Sequence, residues 1–348
     1  MKDDHWKGNE LEYLHSCPVC GFHSRTMCFS GIEDRIGGTR GQWDYYQCEN
    51  CGVFYIDPRP TAKTIVRAYN DYFTHSVFTE RKRVACADRI ALCMRNDYLN
   101  SKYGHNEQPT INGGRWFMYF LPPWLRLEWD HYARHLPKPT PGKNRLLDVG
   151  CGNGQFLAAV HSAGWACYGV DFDPKAIETA RAHGIQVALG SLEEQQFPDD
   201  FFDAITLSHV IEHIHHPKDL LRECVRVLKP SGILWVATPN AASFIQKWFQ
   251  RNWLAYSPPH HLILFNPQSL RRLIEELGLS VRFKHQGFHV QRHWSASLLL
   301  QRGRIGLQDV YLDAFTDRRT MLRYWLVELL AWIVHSLQGD VIIRATKP

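Results

Sequence analysis

The sequence predicts an α/β protein whose main unit is a doubly wound, mostly parallel sheet of seven strands, preceded by a small cysteine-rich module. Beyond residue 143, short apolar segments of strand length alternate with amphipathic segments of helix length. That alternation is typical of parallel strands joined by helical crossovers. Before residue 60, two Cys-x-x-Cys pairs lie in a segment rich in glycine and aromatic residues. A chain of 348 residues is long enough for both units.

Hydrophobic spacing, with glycine or proline at the ends of segments, marks the individual elements. Strands are predicted at 145–149, 165–170, 185–189, 202–207, 233–237, 279–284 and 341–344. Helices are predicted at 155–163, 174–183, 217–228 and 267–277. A helical insert at about 293–337 is predicted between the last two strands.

Proline-containing segments divide the chain into three parts. The cysteine-rich module covers 1–60 and ends at Asp57-Pro-Arg-Pro60, because neither proline can extend a strand or helix already under way. A connecting region, first helical and then rich in aromatic residues, covers 61–142 and ends in a turn-forming, proline-rich stretch. The α/β unit follows at 143–348.

Composition is that of a folded protein, with 45% hydrophobic and 22% charged residues. The formal net charge of +5 is small for this length and does not by itself indicate a polyanionic partner. The first residues are polar and lack the apolar core of a signal peptide. The nearest candidate for a membrane span, 324–334, is short and contains Glu328. We therefore expect a cytoplasmic protein.

The two cysteine pairs predict a structural zinc site formed by Cys17, Cys20, Cys48 and Cys51. Each pair places two thiolates on one tight turn, and the glycine that follows it permits a positive φ. Four thiolates complete a tetrahedral Zn²⁺ site and leave no open position for chemistry. The alternative is four reduced cysteines in a hydrophobic core. With 27 residues between the pairs, the module is predicted to be a zinc ribbon with an insertion.

The charge of the module disfavours nucleic acid as a partner. Its 60 residues contain nine acidic and six basic side chains. A zinc ion with four thiolates adds a charge of about −2. A protein that binds nucleic acid normally presents the opposite sign.

A glycine-rich turn predicts a ligand site at the start of the α/β unit. The segment from Asp148 to Gly154 follows a strand, opens a helix and has glycine at every second position from Gly150. The dinucleotide fingerprint would require a third glycine at 155, which is glutamine here, so the turn suits a ligand without a pyrophosphate. Asp171 ends the next strand, where a carboxylate can accept both hydroxyls of a ribose. Asp173 is predicted to cap the following helix.

Together these residues resemble motif I and the second-strand acid of the class I S-adenosylmethionine-dependent methyltransferases, over about residues 143–347. The resemblance implies S-adenosylmethionine as cofactor, Asp171 at its ribose and Phe172 along its adenine. Many relatives have an aspartate where this chain has Ser191, so adenine recognition is expected to depend more on backbone groups near Leu192. The residues that the resemblance places at the cofactor are Asp148, Gly150, Gly152, Gly154, Asp171, Phe172, Ser191, Leu192 and Ser208.

The reacting end is predicted at the carboxyl end of the fourth strand and in a later loop. The candidate catalytic residues are His209, Glu212, His213 and His261, with His260 beside them. Three roles stay open: a general-base histidine, a divalent metal site, or a structural feature of the loop. The metal alternative resembles small-RNA 3′-end methyltransferases, but His209 stands where those have an acid, and Mg²⁺ favours oxygen ligands. The literal match to an inverted zinc-peptidase motif would require a helix, which is not expected here.

The expected function is O-methylation of a small or lipid-linked acceptor, and the favoured acceptor is a sugar of a cell-surface polysaccharide. The pairing of a zinc ribbon with a methyltransferase resembles bacterial surface-glycan and natural-product enzymes. The alternatives are an RNA methyltransferase with a zinc module and a non-catalytic scaffold that binds the cofactor. The acidic ribbon disfavours the first alternative, and an intact glycine turn with Asp171 disfavours the second.

The apolar part of the insert, 321–337, has Trp325 and Trp332 seven residues apart on one face of the predicted helix. Its simplest role is to cover the sheet or the substrate cleft. A homodimer interface and a shallow contact at the inner face of a membrane are the alternatives. The membrane contact would suit a lipid-linked acceptor.

Overall fold

The computed structural model describes residues 6–35, 39–69, 86–120, 123–285, 289–303 and 338–348, with isolated positions between 326 and 334. The strands are β1 (Leu11–Glu12), β2 (Arg25–Glu33), β3 (Gln42–Cys48), β4 (Phe54–Ile56), β5 (Arg59–Pro60), β6 (Arg145–Val149), β7 (Ala166–Asp171), β8 (Gln186–Leu189), β9 (Phe202–Ser208), β10 (Leu228–Pro239), β11 (Ile263–Leu264), β12 (Ser280–Lys284) and β13 (Asp340–Thr346). The helices are α1 (Cys86–Tyr103), α2 (Gly114–Phe120), α3 (Pro123–Tyr132), α4 (Gln155–His161), α5 (Pro174–Ala182), α6 (Pro217–Val227), α7 (Phe244–Phe249), α8 (Pro267–Glu275) and α9 (His289–Gln301).

The predicted seven-stranded sheet is confirmed, with the order β12-β13-β10-β9-β6-β7-β8. Neighbours from β10 to β8 pair in parallel, whereas β13 runs antiparallel to both β10 and β12. The central strands are buried along nearly their whole length, as expected for parallel strands covered by helices on both faces. The carboxyl ends of β6, β7, β9 and β10 therefore meet at one edge of the sheet, where a ligand site belongs.

The predicted elements of the α/β unit lie within a few residues of the observed ones, except for β10. That strand begins at Leu228, five residues before the predicted start, because Leu228 pairs with Phe202 ahead of a register shift. Pro230 and the left-handed Ser231 lie inside the shift and hid the first part of the strand from a pattern-based prediction. Of the predicted insert at 293–337, the structure shows α9, which begins at His289. Residues 304–325, Trp325 and Trp332 lie outside the described residues.

The cysteine-rich module forms a second, smaller sheet that shares its core with the first. Its order is β11-β4-β3-β2, and β1 pairs separately with β5. The edge strand β11 comes from the α/β unit, more than 200 residues further along the chain than β4. A single buried cluster runs from Trp43 and Tyr45 of the module to Leu207 and Val236 of the large sheet. The two sheets are thus packed as one body around the loop that carries β11.

None of the helices in the described part of the chain combines the length and the hydropathy that a bilayer span needs.

Candidate active site and cysteine cluster

The three glycines of the turn after β6 all adopt left-handed conformations, but for different reasons. Gly150 has φ +70°, and a Cβ there would lie 2.4 Å from a methyl of Val210. A Cβ at Gly154 would lie 2.7 Å from the Cβ of Ala180. At Gly152, with φ +52°, a Cβ would meet nothing within 4 Å. Gly150 and Gly154 are therefore required by packing, whereas Gly152 borders open space that a ligand can approach closely.

The carboxylate of Asp171 faces this turn. Its Oδ2 accepts a hydrogen bond from the Gly152 amide at 2.8 Å, and its Oδ1 accepts one from the Asp173 amide at 2.9 Å. Burial raises the pKa of Asp171, and these amide donors oppose that shift. Phe172 is 68% exposed beside it. The predicted helix cap is confirmed, since Asp173 Oδ1 accepts from the Lys175 amide at 3.0 Å.

The segment after β8 is occupied by local interactions. The Ser191 hydroxyl accepts a hydrogen bond from the Glu194 amide at 3.3 Å, and the Ser191 amide donates to Glu194 Oε2 at 2.8 Å. The side chain of Leu192 lies in the hydrophobic core. The Ser191 hydroxyl, the Ser191 amide and the Leu192 side chain are thus all engaged within the protein.

Asp148 is buried beneath the turn and is neutralised by a residue that sequence reasoning missed. Arg134, just after α3, contacts Asp148 Oδ1 with Nη1 and donates to Thr206 Oγ1 at 2.7 Å. Thr206 in turn donates to Asp148 Oδ1 at 2.9 Å. The guanidinium lies 3.5 Å from the ring centroid of Phe156. Arg134 precedes the proline-rich stretch in the chain, and no local pattern marked it as part of this site.

The carboxyl end of β9 carries a cluster of ionisable side chains. Ser208 ends the strand, and His209 follows in a left-handed conformation with φ +53°. His209 Nδ1 lies 3.3 Å from Glu212 Oε1, and its ring is 38% exposed whereas Glu212 is fully buried. Glu212 Oε2 accepts a hydrogen bond from Thr238 at 2.9 Å. Only a short 3₁₀ turn at Ile211–His213 follows β9. His209, Glu212 and His213 therefore do not lie on one face of a helix, as a peptidase motif would require.

Two residues that the sequence analysis did not place at the site extend this cluster. Asp340, the first residue of β13, lies with Oδ2 3.7 Å from His209 Nε2. His293 of α9 lies with Nε2 3.4 Å from Asp340 Oδ1. Burial would lower the pKa of His209, but the carboxylates of Asp340 and Glu212 outweigh it and raise that pKa to about 9. Burial would raise the pKa of Glu212, but His209 and the neighbouring histidines lower it to about 2.

His213 and His261 are oriented by backbone carbonyl groups. His213 Nδ1 lies 2.9 Å from the His260 carbonyl oxygen, and His261 Nδ1 lies 2.7 Å from that of Ala255. Because a carbonyl can only accept, each Nδ1 must carry the hydrogen, and each Nε2 keeps a lone pair. Burial lowers the pKa of His213 to about 3 and also lowers that of His261. Both rings are therefore neutral at pH 7.

The structure brings Glu212, His213 and His261 together, with donor atoms within 4.8 Å of one another. His260 is separate: it is fully buried, and its Nε2 binds the Ala68 carbonyl oxygen at 2.8 Å. The predicted catalytic group is thus assembled in space, with His260 in a supporting position. Its geometry is compatible with both a general base and a cation, as the sequence analysis left open.

The four cysteines of the module converge as predicted. Sγ of Cys17 lies 3.7 Å from that of Cys51, and Sγ of Cys20 lies 3.5 Å from that of Cys48. A disulfide would need about 2 Å, whereas Zn–S bonds of about 2.3 Å in a tetrahedron separate the sulfurs by about 3.8 Å. The donor set and its spacing fit a zinc ion. Gly21 and Gly52 have φ of +73° and +71°, which confirms the left-handed turn expected after each pair.

Comparison with known proteins finds similarity to methyltransferases over much of the α/β unit. A family model described as a methyltransferase domain matches residues 124–282, a span that includes Arg134. A ubiquinone biosynthesis O-methyltransferase of Xanthomonas oryzae pv. oryzae is 33% identical over 103 residues, which are 28% of this chain and 43% of that protein. The mitochondrial ubiquinone biosynthesis O-methyltransferase of Homo sapiens is 29% identical over 195 residues, 49% of this chain and 53% of that protein.

One solved structure is similar to part of this chain. It is a SAM-dependent methyltransferase from Archaeoglobus fulgidus with 22% identity and a TM-score of 0.43, and the match covers 67% of this chain and 99% of that one. The chain spans about half the length of the two curated relatives named above.

Proposed function

We propose that this chain, which carries a class I S-adenosylmethionine-dependent methyltransferase domain, transfers the methyl group of that cofactor to a hydroxyl oxygen of a small molecule. The observation that carries the proposal is the position of two neutral histidines beside buried Glu212, at the same sheet edge as the open turn at Gly152. Such histidines suit an acceptor that must lose a proton when it is methylated.

The residues of the turn fit the proposed cofactor. Asp171 would hold the ribose, because each of its oxygens accepts one amide hydrogen bond and retains a lone pair. The exposed ring of Phe172 would lie along the adenine. The space beside Gly152 would admit the part of the ligand that lies closest to the protein backbone. When bound, S-adenosylmethionine supplies a methyl group on a positively charged sulfur. The protein then needs chiefly to align the acceptor oxygen with the bond between that sulfur and the methyl carbon.

We assign His261 as the base that takes the acceptor's proton on Nε2. His209 is protonated at neutral pH, and the pKa of about 3 makes His213 a weak base. The carboxylate of Glu212 would stabilise His261 once that ring has gained a proton. We favour this role over a Mg²⁺ site because two of the three clustered donors are nitrogens.

The acceptor itself is proposed at the level of a hydroxylated small molecule. The two curated relatives are named for ubiquinone biosynthesis, which supports O-methylation but gives no support to a sugar. A sugar or lipid-linked glycan acceptor stays a prediction. We also propose that the cysteine cluster holds one zinc ion, which elemental analysis of the purified chain would count directly.

The test is a transfer assay with labelled S-adenosylmethionine against hydroxylated quinone precursors, nucleotide sugars, lipid-linked glycans and RNA. We expect label on a hydroxyl oxygen of one small-molecule class, and loss of that transfer in His261→Ala. His161→Ala, on the exposed end of α4, is the matched control and should keep full activity. Label in RNA, or cofactor binding without transfer to any acceptor, would refute the proposal.

A further inference from the structure

The loop that carries His260 and His261 is attached to the cysteine-rich module, and we infer that this module is a positioning element of the active site. In this inference, which rests on the proposed function, the cysteine cluster stabilises the four-stranded sheet of the module, whose edge strand β11 begins two residues after His261. A metal ion that the four cysteines bind would then act on methyl transfer through the loop. The module would have little influence on binding of the cofactor.

The first observation is the pairing of β11 with the module. Ile263 and Leu264 pair with Tyr55 and Phe54 of β4, and the Ile56 amide donates to the Leu262 carbonyl oxygen at 3.2 Å. The loop residues 262–264 are fully buried in the shared core. A two-residue strand cannot hold its own position, so the loop depends on β4 for its course.

The second observation is a direct contact with the metal knuckle. The side-chain amide of Asn266 donates to the Cys51 carbonyl oxygen at 2.9 Å. The two segments of the chain approach so closely here that a Cβ at Gly52 would lie 2.9 Å from Asn266 Nδ2. A change in the backbone around Cys51 would therefore be transmitted to Asn266, five residues after His261.

The third observation is a pair of contacts from the chain just beyond the module to the histidines. The Tyr69 hydroxyl lies 3.0 Å from His213 Nδ1, where it shares the hydrogen that this nitrogen gives to the His260 carbonyl. The Ala68 carbonyl accepts from His260 Nε2 at 2.8 Å. Both residues belong to a 3₁₀ turn at Ile65–Tyr69 that follows β5 of the module. The orientation of His213 is thus set from two sides, by the loop and by this turn.

These contacts connect the module to the reacting end of the site. The Leu262 amide also donates to the Glu212 carbonyl oxygen at 2.8 Å, so the loop and the turn after β9 move together. In contrast, Asp171 and Gly152 are held by β6, β7 and their own amides. A displacement of about 1 Å at a reacting group can cost about a hundredfold in rate. Loosening the module should therefore lower kcat and leave cofactor affinity nearly unchanged.

Two point substitutions test the connection without touching the cysteines. Tyr69→Phe removes the hydroxyl at His213, and Tyr13→Phe, on an exposed tyrosine of the module, is its control. Asn266→Ser removes the contact to Cys51 while retaining a residue that can cap α8. We expect kcat to fall at least about threefold in each test variant, with S-adenosylmethionine affinity within about twofold of the parent. An unchanged kcat in both would overturn the inference.

Metal removal tests the same connection with a readout that does not need an acceptor. Hydrogen exchange of the full chain is compared before and after the cysteine-bound metal is removed with a chelator, and in Cys48→Ser. We expect amides of 262–266 to lose protection together with those of 48–56, while amides of β6 and β7 keep theirs. Protection that persists at 262–266 when the module opens would refute the inference. Because exchange is measured without turnover, failure of the proposed reaction would leave this result interpretable.

Discussion

The proposed cofactor end and the proposed acceptor end of the site lie at the same sheet edge but are built in different ways. The part of the cofactor end around Gly152 and Asp171 comes from one continuous stretch, β6 to Asp173, and uses glycines and backbone amides. The acceptor end is assembled from His209 and Glu212 after β9, His261 before β11, and residues of α9 and β13. The first is specified by local sequence, whereas the second exists only once the whole chain has folded.

The two ends also differ in their electrostatics. At the cofactor end, burial raises the pKa of Asp171, and amide donors keep the carboxylate in place. At the acceptor end, the carboxylates of Asp340 and Glu212 raise the pKa of His209, whereas burial lowers the pKa of His213, which separates a charged histidine from a neutral one. Titratable groups whose environments push their pKa values apart can take distinct acid and base roles.

The largest expected effect lies at the junction of the two ends, where Arg134 joins Asp148 of β6 to Thr206 of β9. Arg134→Ala should cost about 3–5 kcal/mol of unfolding free energy, because it leaves Asp148 buried without its partner charge. Urea denaturation measures the loss. The double variant Arg134→Ala/Asp148→Asn should recover much of it, since the amide carries no charge. A loss below about 1 kcal/mol in the single variant would show that the junction is not held by this pair.

The next largest expected effect is a loss of cofactor affinity that arises from the cofactor end alone. Asp171→Ala should weaken S-adenosylmethionine binding at least tenfold, about 1.4 kcal/mol, in calorimetry, because the ribose hydroxyls lose a charged acceptor. Asp219→Ala, on the exposed face of α6, is the matched control and should leave the affinity unchanged. Equal affinity in Asp171→Ala and the parent would show that the cofactor does not bind at Asp171.

The same contrast explains what the sequence could predict. The positions of the strands along the chain, the turn after β6 and the four cysteines are encoded within short windows, so periodicity and spacing were sufficient to predict them. Arg134, Asp340 and His293 reach the site from elements far apart in the chain, and their local patterns resemble those of ordinary surface or core residues. The pairing of β11 with β4 was not predicted for the same reason, because a two-residue strand carries no periodic signal.

The smallest effect is a pH dependence confined to the acceptor end. The pKa of His209 is raised in the folded protein to about 9, above its ordinary value of 6.5, by Asp340 and Glu212 acting against burial. Its contribution to stability is therefore complete below about pH 6.5 and is lost as the pH rises through about 9. Because the ring is 38% exposed, solvent screening limits this contribution to less than about 1 kcal/mol.

The pH prediction is checked by urea midpoints at pH 6.5 and pH 9.5 for the parent and for His209→Gln. The parent should lose more stability over this interval than the variant, and the difference between the two isolates His209 from cysteines and tyrosines that titrate in the same range. In the parent, Glu212 has a pKa lowered to about 2 and stays ionised throughout this interval. Parallel losses in both proteins would mean that His209 is not held as a cation between the two carboxylates. The acceptor end would then lack the separation of charged and neutral histidines on which the assignment of His261 as base depends.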